Sequence, residues 1–193
     1  MTRIASLCSA SIIALCASTG LATRLLAASP NVVLVNQNNY PNKDSIYSDN
    51  FTTGSFSSYN SYAADDFVIP SGHKWKINEV DVTGVYGQGS AATSENVLFY
   101  KDNHSLPGTL VAECDNIKGL DSDGSFSISI PDTCKVSLRG GKTYWVSVVA
   151  TISFGEWGWT TRIKQKRNPA VWENPDNTFG TGCRTWNTLA ACF

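Results

Sequence analysis

The chain has 193 residues, of which 42% are hydrophobic and 16% charged, with 15 Lys and Arg against 16 Asp and Glu. The formal net charge of −1 excludes the strongly basic surface that nucleic-acid-binding proteins need. The length is that of a single domain with a sizeable hydrophobic core.

The N-terminus carries the pattern of a secretory signal peptide. Arg3 supplies a positive charge, the apolar run IASLCSASIIALCASTGLA follows, and Leu26 and Ala28 suit the small-residue rule for a cleavage site. A membrane anchor is the alternative, but the run is short and rich in Ser and Cys. The sequence therefore predicts a signal peptide over residues 1–28 and one domain over residues 29–193, secreted to the extracellular space or held in the periplasm, with no membrane partner.

The predicted signal peptide changes the charge of the remaining chain. Residues 1–28 hold two of the basic residues and none of the acidic ones, which leaves 13 Lys and Arg against 16 Asp and Glu. The predicted domain thus has a net charge of −3, and we expect no nucleic-acid partner.

Patterns of short strands recur along the predicted domain, and no stretch places apolar residues at helical spacing over three turns. The apolar run VVLV is followed by an Asn- and Ser-rich lead-in over residues 36–62 that we expect to lie across the fold. KWKINEVDVTGVY changes parity near Asn78–Glu79, which indicates a bulge or bend. SFSISI alternates strictly, whereas NVLFY and YWVSVVATI are apolar enough for strands buried on both faces. These patterns predict an all-β fold, a two-sheet antiparallel β-sandwich of the jelly-roll type.

Four cysteines follow the predicted signal peptide, and an even number in an exported chain indicates disulfide bonds. Three pairings are open to four cysteines. We expect Cys114–Cys134 and Cys183–Cys192, because each pair is close in sequence. A zinc site is the alternative, but the chain has no C-x-x-C spacing and two histidines.

The residues that catalysis needs are few. Neither His73 nor His104 lies in a nucleophile motif, and the chain has no G-x-S-x-G, H-E-x-x-H or phosphate-binding loop. We therefore expect a protein that is not an enzyme and has no cofactor. A small hydrolase with carboxylates drawn from distant positions is the less favoured alternative.

Calcium is the one metal ion that the sequence suggests. The candidate ligands are four aspartates in the fragments AADDF and LDSDG, namely Asp65, Asp66, Asp121 and Asp123. Structural roles compete with calcium binding, because an Asp in a strand can accept hydrogen bonds from a loop and D-x-D-G is also a tight polar turn. The remaining ligands of an EF-hand loop do not follow.

The stretch SYAADDFVIPSGHKWKINEVDVTG reads as A-D-D-F-x-[IV]-P-x-G-x-x-W. In this it resembles a β-sandwich domain family that recurs in exported bacterial proteins. The likeness continues through VLFYKDNHSLPGTLVAE, GKTYWVSVVA and NPAVWENPDNTFGTGCRTW, and spans roughly Leu34 to Cys192. The resemblance implies a β-sandwich and a bacterial source. It implies no activity, because the family has no settled one.

The stretch SFGEWGWTTR places Trp157 and Trp159 on one face of a predicted strand. They form either an exposed platform on which a ligand stacks, or two pillars of the core. The alternation with polar neighbours favours the core. The platform would have a polar rim, for which the candidates are Glu156, Arg162 and Asn177.

Two functions compete. The first is an extracellular carbohydrate-binding or surface-binding module, whose partner is a polysaccharide or another cell-surface component. The second is a structural subunit of an extracellular matrix or filament that self-associates through strand edges, with NVVLVNQ as a donated strand.

Overall fold

The computed structural model describes residues 3–7 and 31–193. The predicted cleavage site near Ala28, and all of the predicted signal peptide except residues 3–7, lie outside the described residues. The described strands are, in chain order, β1 (Arg3–Leu7), β2 (Asn31–Asn36), β3 (Pro41–Tyr47), β4 (Asp49–Phe51), β5 (Tyr62–Ile69), β6 (Lys74–Lys76), β7 (Glu79–Val82), β8 (Gly84–Gly89), β9 (Ser94–Asn103), β10 (Leu106–Ile117), β11 (Leu120–Ser122), β12 (Ser125–Ser129), β13 (Ser137–Arg139), β14 (Lys142–Ile152), β15 (Gly155–Arg162), β16 (Val171–Glu173) and β17 (Asn187–Thr188).

Helical structure is sparse in the described part of the chain. Two single-turn 3-10 helices cover Ser57–Tyr59 and Asp132–Cys134, and one short α-helix, α1, covers Leu189–Cys192. Within residues 3–7 and 31–193, no helix has the length and apolar character that crossing a bilayer would take.

The strands form four sheets, and almost every pairing is antiparallel. The largest sheet has the strand order β10-β9-β14-β5-β16-β17, and β4 pairs in parallel with the end of β14. A five-stranded sheet has the order β11-β12-β7-β1-β2. The two smaller sheets are β3-β15-β8 and β13-β6. The predicted all-β antiparallel sandwich is confirmed.

The hydrophobic core lies between the largest sheet and the sheets that face it. Val146 and Val148 of β14 belong to one buried cluster together with Val80 of β7 and Ile128 of β12. Trp145, the neighbour of Val146, lies in a separate buried cluster with Ala64 and Val171. Because successive side chains of a strand point to opposite faces, the two clusters cover the two faces of the largest sheet.

The strand patterns of the sequence are reproduced. In β12, Phe126 and Ile128 are buried while the serines between them are not. In β14, every side chain from Tyr144 to Ile152 is buried. β9 and β5 pair with the two edges of this strand, and the two buried clusters described above cover its two faces.

The structure gives two local predictions a definite form. The change of parity near Asn78–Glu79 is not a bulge within one strand: β6 ends at Lys76, β7 begins at Glu79, and the two strands belong to different sheets. The lead-in over residues 36–62 contains strands β3, β4 and the start of β5. Most residues of β3 are exposed or only partly buried, so this edge strand carries polar side chains and lacks the apolar pattern that would have revealed it.

One of the two predicted disulfide bonds is present. Cys183 and Cys192 are bonded, and the bond ties α1 to the preceding loop. The predicted Cys114–Cys134 bond is wrong, because both residues are free thiols. The two cysteines are nevertheless neighbours: burial raises the pKa of Cys114, and the Cys134 thiol beside it raises that pKa further. Sequence spacing indicates which cysteines are neighbours, whereas bond formation also depends on oxidation.

Candidate functional site

Trp157 and Trp159 are part of the core. Their side chains are 0% and 4% exposed. The indole N–H of Trp157 donates a hydrogen bond to the carbonyl of Gly124 at 2.7 Å, and its ring packs against that of Phe126 with centroids 5.1 Å apart. The prediction that both tryptophans lie in the core is confirmed, and the exposed stacking platform is wrong. The alternation itself is only partly present, because Glu156 is exposed whereas Thr160 is buried.

A half-open pocket of about 240 Å³ lies beside Trp159, between β15, β5 and the loop of residues 163–170. We call it the Arg162 pocket. Its apolar wall includes Trp159 and two small residues of β5, Ala63 and Ala64. Because alanine has no side chain beyond Cβ, Ala63, which belongs to the same core cluster as Trp159, leaves space between the sheets that a larger residue would fill. The polar lining includes Asp65, Thr160, Thr161, Arg162, Gln165, Lys166 and Asn168.

Asp66 holds the loop in place. Its side chain accepts two hydrogen bonds of 3.2 Å from Asn168, one from the backbone N–H and one from the side-chain amide. Burial, and then the charge of Asp65, raise the pKa of Asp66 to about 7. Asp66 is therefore one of the structural aspartates that the sequence offered as the alternative to calcium.

Asp65 lines the pocket on the other face of β5. One of its oxygens accepts a hydrogen bond of 3.0 Å from the backbone N–H of Asp66. Burial raises the pKa of Asp65 to about 6, although that hydrogen bond and the cationic Arg162 and Lys166 act to lower it. The Asp65 carboxyl is thus an acceptor for a ligand at neutral pH and a donor below pH 6.

Arg162 is held by Asn39 and keeps one donor without a partner in the protein. Its Nε donates to the carbonyl of Asn39 at 3.0 Å, and Nη2 donates to the Asn39 side chain. Its Nη1 is buried and has no hydrogen-bond partner within the protein. Leaving such a donor unpaired costs about 1–3 kcal/mol, and more when the group is charged.

Thr160 repeats this pattern on the same strand. Its side chain is 8% exposed, and its hydroxyl has no hydrogen-bond partner. The ladder between β15 and β3 is irregular between Thr160 and Arg162. Such irregularities re-aim side chains and are frequent next to binding sites. Two residues that line one pocket therefore each carry a buried polar group without a partner.

Comparisons with known proteins give no guide to this site. No family model, curated protein or solved structure matches the chain. The resemblance to exported bacterial β-sandwich domains therefore stays a prediction, and the chemistry of the pocket carries the functional argument.

The predicted polar rim is dispersed. Arg162 lines the pocket, but Glu156 is exposed beside the Tyr47 hydroxyl and Asn177 lies in a separate turn. The Asn177 side chain accepts a hydrogen bond of 2.7 Å from the backbone N–H of Gly182, which closes that turn. Neither residue lines the Arg162 pocket.

The four candidate calcium ligands are not brought together. Asp65 and Asp66 lie on β5 of the largest sheet, whereas Asp121 and Asp123 lie at the turn between β11 and β12. Asp121 accepts hydrogen bonds from the Tyr86 hydroxyl at 2.7 Å and from the Gly124 N–H at 2.8 Å. Within the described ranges, no three His, Cys, Asp or Glu side chains are grouped so that they could hold a metal ion.

The sequence pointed to Arg162 and Asp65 for other reasons and missed Thr160. Asp65 attracted notice as a metal ligand, and Arg162 as the rim of an aromatic platform. Thr160 carried no signal, since one Thr in a strand is ordinary. The faint signal for the pocket was Ala63 in AADDF, because a small residue in a central strand leaves room against the neighbouring sheet.

Proposed function

We propose that this protein is an exported, non-catalytic module that binds carbohydrate, or another polar component of a cell surface, in the Arg162 pocket. The observation that carries the proposal is that one pocket is lined by Asp65 and by two residues with an unpaired buried group, Arg162 (Nη1) and Thr160 (Oγ1). A sugar supplies the ring hydroxyls that such groups need, together with an apolar ring face for the wall around Trp159.

The size of the pocket supports a small ligand unit. Its volume of about 240 Å³ is below the roughly 300–1,000 Å³ of sites that take drug-sized molecules. One sugar ring matches this size, and a longer chain would extend outwards through the open side. The module would therefore bind one unit, or one end, of a polysaccharide.

The carboxylates of the pocket argue for binding over hydrolysis. Glycoside hydrolysis needs two carboxyl groups that flank the bond to be broken. Asp65 lines the pocket, whereas Asp66 points away and bonds Asn168. This arrangement supplies one carboxyl group where the reaction needs two.

The test is a pocket-filling substitution with a matched control. Ala190 is exposed and lines the pocket, and the next residue, Ala191, is exposed and does not. We expect the protein to bind members of a soluble glycan panel in calorimetry, and Ala190→Trp to weaken that binding at least about tenfold while Ala191→Trp leaves it unchanged. Equal weakening by both variants would place the site elsewhere. A panel with no binder would overturn the proposal.

A specific feature also supports the second candidate, self-association through strand edges. β2 pairs with β1, which lies within the predicted signal peptide and would be absent from a cleaved chain, and Val32 and Val33 of β2 are 47% and 51% exposed. Exposed apolar edge strands pair readily with other chains. Light scattering at rising concentration tests this: growth in mass that Val33→Lys abolishes would support assembly, and a monomer at every concentration would reject it.

A further inference from the structure

We propose that the ligand of the Arg162 pocket carries a carboxylate: it is an acidic sugar residue of the uronate type, bound through its carboxylate by Arg162 and through its hydroxyls by Thr160 and Asp65. This inference rests on the proposed function and names the chemical class of the ligand. It is argued from the charges and the unpaired groups of the pocket.

The first argument is the state of the guanidinium group. Asn39 binds Nε and Nη2 of Arg162, so the plane of the group is held, and the buried Nη1 has no partner within the protein. A guanidinium forms charge-assisted hydrogen bonds with a carboxylate that are about twice as strong as those with a neutral oxygen. Arginine is accordingly the residue of choice for recognising carboxylates.

The second argument is the balance of charge in the lining. Arg162 and Lys166 are the cations that line the pocket, and Asp65 is the acid that lines it. Asp66 lies directly behind Asp65 and is engaged by Asn168. A ligand with one negative charge therefore balances the pocket, whereas a neutral ligand leaves an excess of positive charge.

The third argument is independent of charge. The Thr160 side chain is more than nine-tenths buried, and its hydroxyl lacks a partner. A hydroxyl can both donate and accept, and so can each hydroxyl of a sugar ring. A sugar acid satisfies Thr160 and Arg162 at once, which a simple carboxylate such as acetate does not.

The experiment compares each acid with its own methyl ester. Trimers of galacturonate, glucuronate and mannuronate, and their fully methyl-esterified forms, are titrated into the full chain by calorimetry at low and high salt. We expect at least one free acid to bind at least about tenfold more tightly than its ester, with the difference shrinking as salt rises. If an ester binds as tightly as its acid, the inference that the ligand binds through a carboxylate is wrong, while the proposal that the pocket binds a sugar stands.

Substitution of Arg162 tests whether its side chain binds the carboxylate of the ligand. Arg162→Ala should weaken binding of the acid by about 10- to 100-fold, the size of a lost hydrogen bond to a charged group, and change binding of the ester much less. Arg184→Ala is the matched control, because the Arg184 side chain donates to the carbonyl of Pro175 and does not line the pocket. Equal losses for acid and ester in Arg162→Ala would contradict the proposal.

The Thr160 contact has its own control within the chain. Thr151 is 4% exposed, its hydroxyl is also buried and unpaired, and it does not line the pocket. Thr160→Val should weaken binding of the acid about tenfold, and Thr151→Val should leave it unchanged. Unchanged binding by Thr160→Val would show that the Thr160 hydroxyl does not contact the ligand. If neither the acids nor the neutral glycan panel bind, the carboxylate inference and the proposed function fall together.

Discussion

The Asp49 carboxylate accepts a hydrogen bond of 2.9 Å from the backbone N–H of Trp157, a residue 108 positions away in the chain. Asp49 is 2% exposed and lies in β4, which runs parallel to the end of β14. Burial raises the pKa of Asp49 to about 8, the charge of Glu156 adds to the rise, and the hydrogen bond from Trp157 opposes it. The strand that carries the buried tryptophans is therefore tied to a carboxyl group that the fold favours in its neutral form.

This link predicts a loss of stability as the pH rises. The pKa of Asp49 is about 8 in the folded protein and about 3.9 in an unfolded chain, so the folded state binds the proton more tightly. The contribution of Asp49 is then fully present below about pH 4 and is lost as the pH rises towards 8. Asp49→Asn keeps an acceptor for Trp157 and cannot ionise.

We therefore expect the melting temperature of Asp49→Asn, relative to that of the parent, to increase steadily from pH 4 to pH 8, by about 2–4 °C for each kcal/mol. Differential scanning fluorimetry across this range measures the difference. The comparison with the parent removes the contributions of Asp65, Asp66 and Glu173, whose pKa values are also raised. A difference that is constant with pH would show that Asp49 does not titrate in this range.

Gly84 packs against the ring of Trp157, and this contact predicts the effect of one methyl group. A Cβ atom at Gly84 would lie 2.5 Å from Cζ2 and 2.6 Å from Nε1 of Trp157. Gly84→Ala should destabilise the protein by about 1–3 kcal/mol, as overpacking of a core does. Gly54→Ala is the matched control, because nothing lies within 4 Å of a Cβ there. Chemical denaturation of both variants checks this, and equal stabilities would mean that the tryptophan ring yields to the methyl group.

The buried position of Trp157 predicts a large effect of truncation. Trp157→Ala should lower the free energy of unfolding by about 3–5 kcal/mol, because it leaves a cavity in the core and removes the hydrogen bond to Gly124. Trp75 is only partly buried, so Trp75→Ala should have a smaller effect. Thermal melts of both variants measure the two losses of stability. A Trp157→Ala protein that melts within a few degrees of the parent would revive the exposed platform.

The free cysteines Cys114 and Cys134 predict the number of thiols that a thiol reagent will detect. The count is made on a chain that lacks the predicted signal peptide, and with it Cys8 and Cys16. After denaturation without reductant, a thiol reagent should find two thiols per chain, from Cys114 and Cys134, and peptide mapping should find Cys183 linked to Cys192. In the native protein Cys114 should react more slowly than Cys134, because it is buried and its pKa is raised by burial and by the neighbouring thiol. A count of zero would mean that the neighbouring thiols had been oxidised to the bond that the sequence suggested.

Much of the fold was determined by the sequence alone. The alternation in SFSISI and the apolar run in YWVSVVATI predicted a half-buried strand and a central strand, and β12 and β14 are these strands. The polar neighbours of Trp157 and Trp159 likewise indicated that both rings lie in the core. These predictions succeeded because the side-chain period of a strand is local: which residues share a face follows from their spacing, whatever the rest of the chain does.

Only the tertiary structure decided where the polar groups meet. Asp65 and Arg162 are almost a hundred residues apart and lie on strands of different sheets, and they share a pocket because β5 and β15 face each other beside the 163–170 loop. Cys114 and Cys134 lie side by side as free thiols, and Asp121 closes a turn instead of joining Asp65. Such contacts depend on which strands pair and how sheets stack, and pairing between distant strands is governed by the packing of the whole core, on which the local pattern carries no information.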